Sequence, residues 1–237
     1  MAETLKQSLY LHEEILLLAL QDQKGTIDYR AGLYRHVLAG AIIGELLLAD
    51  RVRMEDSRKK MVNVTNNSMI DEPVLYKALL QMAEAKRRKS IQAWVTKLAT
   101  TPKLAEHIAQ GLCRKGILRE EETNILWIFK SKRYPEVNPG PERALLDRIQ
   151  KAIFTNQENV DSRTSVLISL SYRSNLLSIA FSNKDLRKKR ERIEKIINGE
   201  LIGKATGEVI KAVQAAATMA AIMPAIIAST TTVSSSG

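Results

Sequence analysis

A chain of 237 residues that is 45% hydrophobic carries enough apolar surface to offset the entropy of ordering, which excludes a disordered polyelectrolyte. Lys plus Arg number 36 against 26 Asp plus Glu, a net charge of +10, so the expected partners are polyanions: anionic lipid, acidic protein or nucleic acid. The lone cysteine, Cys113, excludes an internal disulfide, and Met1-Ala2-Glu3-Thr4-Leu5-Lys6 has no secretory-leader features, so a cytoplasmic chain with unused sequons at Asn63 and Asn66 is expected.

In chain order, Ser8 caps a first helix in which Leu9, His12, Glu13, Leu16, Leu17 and Leu20 recur at helical spacing, ended by Gly25. A second helix is predicted over Tyr29 to Leu48, with Gly40 and Gly44 letting a neighbour pack closely. Asp50 to Lys60 is charged, and Met61 to Thr65 alternates as a short edge strand. Asp71-Glu72-Pro73 opens a third helix that runs through Met82. After the basic break Lys86 to Lys89, a helix resumes over Ser90 to Leu98 around Trp94. Pro102 opens the next helix, which stops at Lys115-Gly116.

A β-hairpin is predicted next, with Ile117-Leu118 and Ile125 to Phe129 flanking an acidic turn, Arg119 to Asn124. Tyr134 to Pro141 must be a loop. Helices are expected at Glu142–Phe154, Ser162–Ala180, Leu186–Asn198 and Thr206–Ala228. Ala212 to Ala228 falls short of the roughly 20 strongly apolar residues of a membrane span and reads as a buried helix. The prediction is a mainly α chain, with one domain over 1–228 and a disordered Ser/Thr-rich tail over 229–237.

No phosphate-binding, dinucleotide, nucleophile-elbow or zinc-protease motif occurs, and His12, His36 and His107 lack metal-ligand spacing. Glu13 and Glu14 read as dipole compensation and a partly buried ion pair, and Glu45 as a paired structural charge. No catalytic residue, cofactor or metal is expected. The basic run Lys184 to Lys195 can pair with itself through Arg187–Glu191, Arg190–Glu194 and Glu191–Lys195. Lys86 to Lys89 has no nearby acid after Glu84 and is a better polyanion candidate. Lys130, Lys132 and Arg133 are better still, because they adjoin the apolar Ile125, Leu126 and Trp127. A wedge flanked by cations suits a lipid surface, each cation contributing about 1 kcal/mol near an anionic leaflet. The opposing reading is that Trp127 and Phe129 face the core, as one side of a strand must.

The first helix, Leu9-Tyr10-Leu11-His12-Glu13-Glu14-Ile15-Leu16-Leu17-Leu18-Ala19-Leu20-Gln21-Asp22-Gln23-Lys24-Gly25, resembles the opening motif L-x-L-x-E-E-[VI]-L-L-L-x-L-x-D-x-x-G of the Golgi phosphoprotein 3 family. Gly44-Glu45-Leu46, Leu75 to Leu80, Ile91 to Val95 and Leu112 to Leu118 resemble further segments of that family, so the likeness covers about Leu9 to Ala217. The resemblance implies a single all-helical domain with one protruding β-hairpin. It also implies binding of phosphatidylinositol 4-phosphate through a Trp and Arg residues, contact of the hairpin with the bilayer, and adaptor work for membrane glycosyltransferases. The family's four pocket positions fall here at Arg30, Ala39, Pro102 and Ala105, none of which matches, as befits a divergent member.

The expectation is therefore a peripheral membrane protein that binds anionic headgroups through Arg30, Arg35 and Lys103 and inserts the hairpin residues Ile125, Leu126 and Trp127, with Lys130, Lys132 and Arg133 beside them. It would lie on the cytosolic face of the Golgi in a eukaryote. Cytosolic tails of membrane proteins are a second class of partner, and oligomerisation is left open. The competing reading is a winged-helix nucleic-acid binder, which a helix, a Gly and a basic hairpin also describe. It is disfavoured because Leu104 to Leu112 carries few Arg, Lys, Asn or Gln residues.

Overall fold

The computed structural model describes residues 9–21, 23–56, 58–125, 129–202, 215, 218 and 219; for 123–125 and 129–131 the backbone alone is described. Helix α1 (Leu11–Ala19) begins where the Tyr10 amide donates to Glu13 Oε2 at 2.8 Å, so Glu13 closes the helix start from inside. Ser8, the expected cap, lies outside the described residues. All nine residues of α1 are buried, Glu13 and Glu14 included. Strands β1 (Leu20–Gln21) and β2 (Thr26–Ile27) then fold back around Gly25, which sits at φ +60°.

Helix α2 (Tyr34–Leu48) starts five residues later than Tyr29, where periodicity put it. Asp28 is the reason: its carboxylate accepts the Arg30 backbone amide at 2.8 Å and its carbonyl accepts the Ala31 amide at 2.9 Å, which holds the segment in a turn. From Val37 to Leu47 every residue of α2 is buried, as expected of a helix enclosed on all sides.

Strands β3 (Val52–Met54), β4 (Met61–Val64) and β5 (Lys89–Ser90) form an antiparallel sheet in the order β3-β4-β5. The strand predicted over Met61 to Thr65 is thus central, not an edge, because the basic break after α3 (Pro73–Ala83) pairs with it. Glu72 caps α3 by accepting the Leu75 amide at 2.5 Å, with Pro73 at the first helical position. Ser90 caps α4 (Ile91–Ala99) through the Ala93 amide at 3.3 Å. Lys103, at φ +56°, precedes α5 (Leu104–Arg114), and Gly116, at φ +69°, ends it.

The hairpin exists, but in a different register. Strands β6 (Glu121–Ile125) and β7 (Phe129–Arg133) pair Glu121 with Arg133 and Ile125 with Phe129. The predicted acidic turn is therefore mostly the outgoing strand, and Ile125 and Phe129 form the last described pair of the ladder. Opposite charges across the strands, Glu121–Arg133 and Glu122–Lys132, favour this register.

Helix α6 (Gly140–Phe154) follows, then α7 (Ser162–Arg173). The single helix expected over Ser162 to Ala180 breaks at Asn175, φ +65°, before the short α8 (Leu177–Ala180). Likewise Leu186 to Asn198 divides into α9 (Asn183–Lys188) and α10 (Arg190–Ile197) at Lys189. That break separates Arg187 from Glu191. Only Glu191–Lys195 forms as predicted, at 2.9 Å, while Glu194 turns to Arg173 at 2.8 Å. Of the last predicted helix, Ala215 and Met219 are helical and buried; its remainder, Thr218 aside, and the 229–237 tail lie outside the described residues.

The architecture is mainly α, with small sheets at the periphery. Helices α1 and α2 pack on each other at the centre; α5, α6, α7 and α8 surround α1, and α3, α4, α5 and α7 surround α2. Gly44 lets α7 approach, since a Cβ there would meet Val166 Cγ1 at 3.0 Å. Buried carboxylates are tied to distant cations. Glu13 accepts from Lys115 Nζ at 2.6 Å and Glu14 from Arg148 at 2.7 Å. Glu45 accepts from Arg163 Nη2 at 2.7 Å and from the Leu11 amide at 2.8 Å. The acidic pair and Glu45 are thus structural charges, because each is partnered where water is excluded.

Candidate functional site

Arg30 is anchored, not free. Its Nε and Nη2 donate to the two carboxylate oxygens of Asp28 at 2.9 Å each, and its Nη1 donates to the Ser178 carbonyl at 3.3 Å. Those hydrogen bonds hold the Asp28 carboxyl well below the usual carboxylate range. The charge of Arg30 is therefore compensated, and the side chain fastens the loop before α2 to α8. Tyr29 beside it is 86% exposed, with the Arg30 guanidinium 5.9 Å from its ring centroid.

Arg35, in the first turn of α2, donates from Nε to the Ala99 carbonyl and from Nη2 to the Thr101 carbonyl, both at 3.0 Å. These carbonyls end α4, where a cation complements the negative helix end. Lys103 lies on the same loop, its side chain 68% exposed and its Nζ 3.9 Å from Glu106. The structure thus brings Arg35 and Lys103 to one loop, 99–103, while Arg30 belongs to the contact with α8. Ala39 is fully buried in α2, so that position offers nothing to a ligand. A cleft of about 390 Å³ opens next to this loop between α3 and α5, lined by Thr101, Leu104, His107, Lys77, Asp71 and Arg114.

The hairpin rises from this region on a braced base. Leu118 bridges to Glu136, and the Arg119 amide donates to the Pro135 carbonyl at 3.0 Å. Glu120 accepts from Lys132 Nζ at 2.7 Å, from Tyr134 Oη at 3.2 Å and from Gln110 of α5 at 3.3 Å. Lys132 is accordingly paired within the stem, whereas Arg133 is exposed. Leu126 and Trp127, expected at the membrane, lie outside the described residues, as do the side chains of Ile125 and Lys130. Burial, with Glu120 adding to it, raises the Tyr134 hydroxyl far above the ordinary tyrosine range. The Tyr134 amide donates to the Gly25 carbonyl at 2.8 Å, which fixes the hairpin to the β1–β2 turn.

Sequence reading missed Lys115, Arg148 and Arg163 as the partners of the buried acids. The only signal was a Lys before Gly116 in the segment that resembles the family, and two basic residues on later helices. Among the described residues, no group of three or more His, Cys, Asp or Glu side chains could hold a metal ion, and no helix is long and apolar enough to cross a membrane.

The residues that carried the resemblance now have physical roles. Glu13 and Lys115 join the opening motif to the hairpin entry, Glu45 receives the start of α1, and Gly25 seats the hairpin base. The family model described as Golgi phosphoprotein 3 (GPP34) matches residues 11–213. The chain is also similar to Vacuolar protein sorting-associated protein 74 of Schizosaccharomyces pombe (strain 972 / ATCC 24843), at 25% identity over 231 residues, which covers 83% of this chain and 68% of that protein. The chain belongs to the Golgi phosphoprotein 3 family.

Proposed function

We propose that this chain is a non-enzymatic peripheral membrane protein that docks on anionic phospholipid from the cytosolic side, on the Golgi in a eukaryotic cell. The observation that carries this reading is the register of the hairpin. Ile125 pairs with Phe129, the stem before that pair is charged, and the sequence between the two paired residues, Leu126-Trp127-Ile128, is apolar. An apolar sequence that follows a charged stem suits insertion at a lipid interface, with Lys130 and Arg133 meeting headgroups. Arg35 of α2, bonded to loop 99–103, and Lys103 on that loop supply a second cationic contact. Arg30 is left out of the proposed headgroup set because its charge is compensated by Asp28, which supports charge-driven binding over a tight phosphoinositide pocket. Because the fission-yeast relative is named for vacuolar protein sorting, we include in the proposal an adaptor role toward the cytosolic tails of membrane proteins.

Vesicle flotation tests the reading, with neutral vesicles, generic anionic vesicles and vesicles containing phosphatidylinositol 4-phosphate, at low and moderate salt. Flotation on all anionic vesicles is expected, weakened by salt and by Leu126→Asp. Lys103→Glu should reduce affinity about fivefold or more, given roughly 1 kcal/mol per cation. A strong preference for the phosphoinositide would replace the charge-driven account with a selective pocket. Absence of flotation on every vesicle would overturn the membrane reading.

A further inference from the structure

A second basic surface lies at the opposite end of α4. The turn that joins β3 to β4 carries Arg58, Lys59 and Lys60, and the segment entering α4 carries Arg88 and Lys89. These stretches are distant in sequence, but the β4–β5 ladder sets Met61 opposite Ser90 and Val62 opposite Lys89. The Ile91 amide also donates to the Lys60 carbonyl at 2.9 Å. Together they line a cavity of about 590 Å³, whose wall also takes in Gln92 and Ala93 of the first turn of α4 and Thr218 from the C-terminal part of the chain.

The charge in this cavity is only partly compensated. Glu55 pairs with Arg88, and Asp56 pairs with Lys60 at 3.3 Å. Among the described residues, no carboxylate pairs with Arg58, Lys59 or Lys89, so three of the five cations that line the cavity lack an acid. Crowded like charges oppose the compact state unless an anion joins them. The fold nonetheless holds them together with backbone hydrogen bonds of the sheet. The amide end of α4 adds partial positive charge to the same wall.

We propose that this cavity binds a phosphate-monoester group. Such a group carries about −1.5 to −2 charge at neutral pH and three strong acceptor oxygens, which suits several ammonium and guanidinium donors converging from two sides. The volume leaves room for the small body that bears the phosphate. The chemistry is common to a soluble phosphate and to a lipid headgroup ending in a phosphate monoester. The site is separate from the bilayer contact proposed above, since about 13 Å of helix lies between the two ends of α4.

Titration calorimetry of the full chain with glycerol 3-phosphate, a soluble phosphate monoester, tests the soluble source. Flotation on phosphatidic acid vesicles, against phosphatidylserine vesicles of equal charge, tests the lipid source. The variants are Arg58→Ala with Lys59→Ala and Lys89→Ala, and the single exposed change Lys59→Glu, which decides the matter if the triple variant loses its thermal transition. Saturable glycerol 3-phosphate binding that weakens at least tenfold in these variants, and is unchanged in Lys103→Glu, supports the site with a soluble ligand. Preference for phosphatidic acid alone, lost in the same variants, supports it with a lipid ligand. Equal binding by wild type and variants, or no binding in either arm, overturns it. Failure of the bilayer reading would show instead as insensitivity to Leu126→Asp and Lys103→Glu, so the two outcomes are separable.

Discussion

Arg163 holds the start of α1 to α2 and α7, and its removal should be among the most damaging single changes away from the apolar core. Its Nη1 and Nη2 donate to the two oxygens of Glu45 at 2.9 and 2.7 Å, and Nη2 also donates to the Leu9 carbonyl at 2.6 Å. Glu45 in turn receives the Leu11 amide, one of the unpaired donors at the helix start. With Arg163→Ala the Glu45 carboxylate, 9% exposed, stays buried without its counter-ion. Breaking such a pair costs about 3–5 kcal/mol, and the 28% exposure of Arg163 argues for the lower end, about 3 kcal/mol. For a chain of this length that corresponds to a drop of roughly 6–12 °C in Tm. Arg163→Lys keeps the charge but loses the two-pronged geometry, so it should fall between wild type and Arg163→Ala. Urea unfolding of wild type, Arg163→Ala, Glu45→Gln and the double variant would measure the coupling directly. Lys195→Ala, which breaks the exposed pair with Glu191, serves as a control and should leave the midpoint unchanged. A cost below about 1 kcal/mol for Arg163→Ala, or additive single effects, would refute the claim that this pair anchors α1.

Two further outcomes follow from local geometry. Gly25→Ala places a Cβ 2.2 Å from the Pro135 nitrogen at a residue with φ +60°, whereas Gly116→Ala, at φ +69°, meets nothing within 4 Å. The first should cost upwards of about 3 kcal/mol and the second about 1 kcal/mol, read as urea midpoints; equal costs would show that the hairpin base does not press on the turn. Asp28 has its carboxyl depressed by Arg30, so its contribution to stability is complete above the ordinary aspartate pKa of about 3.9 and is lost as pH falls from there toward the lower folded value. Wild type should therefore lose stability more steeply than Asp28→Asn as pH is lowered from about 5 to 2; parallel curves would mean that the Asp28–Arg30 clamp contributes nothing.

What the sequence determined by itself is the part written in local pattern. The spacing of apolar residues placed α1, α3, α4 and α5, and Pro73, Ser90 and Gly116 marked their ends, because capping and periodicity act within one or two turns of chain. The motif from Leu9 to Gly25 was enough to name the family. Tertiary structure decided the rest. A run such as Ile125 to Phe129 reads equally well as a strand or as the end of a hairpin. Pairing of the charged stem, with Glu120 tied to Lys132, Tyr134 and Gln110, sets the register of β6 against β7, from Glu121 opposite Arg133 to Ile125 opposite Phe129. The fate of each charge was equally beyond local reading. Arg30 and Arg35 look alike in sequence, yet one is spent on Asp28 and the other on the carbonyls ending α4. Likewise Lys86 to Lys89 gained an acid, Glu55, and basic neighbours at 58–60 only once β5 paired with β4. Ion pairs such as Arg88–Glu55 and Arg148–Glu14 join residues 33 and 134 positions apart, and only the packed chain brings them within hydrogen-bonding reach.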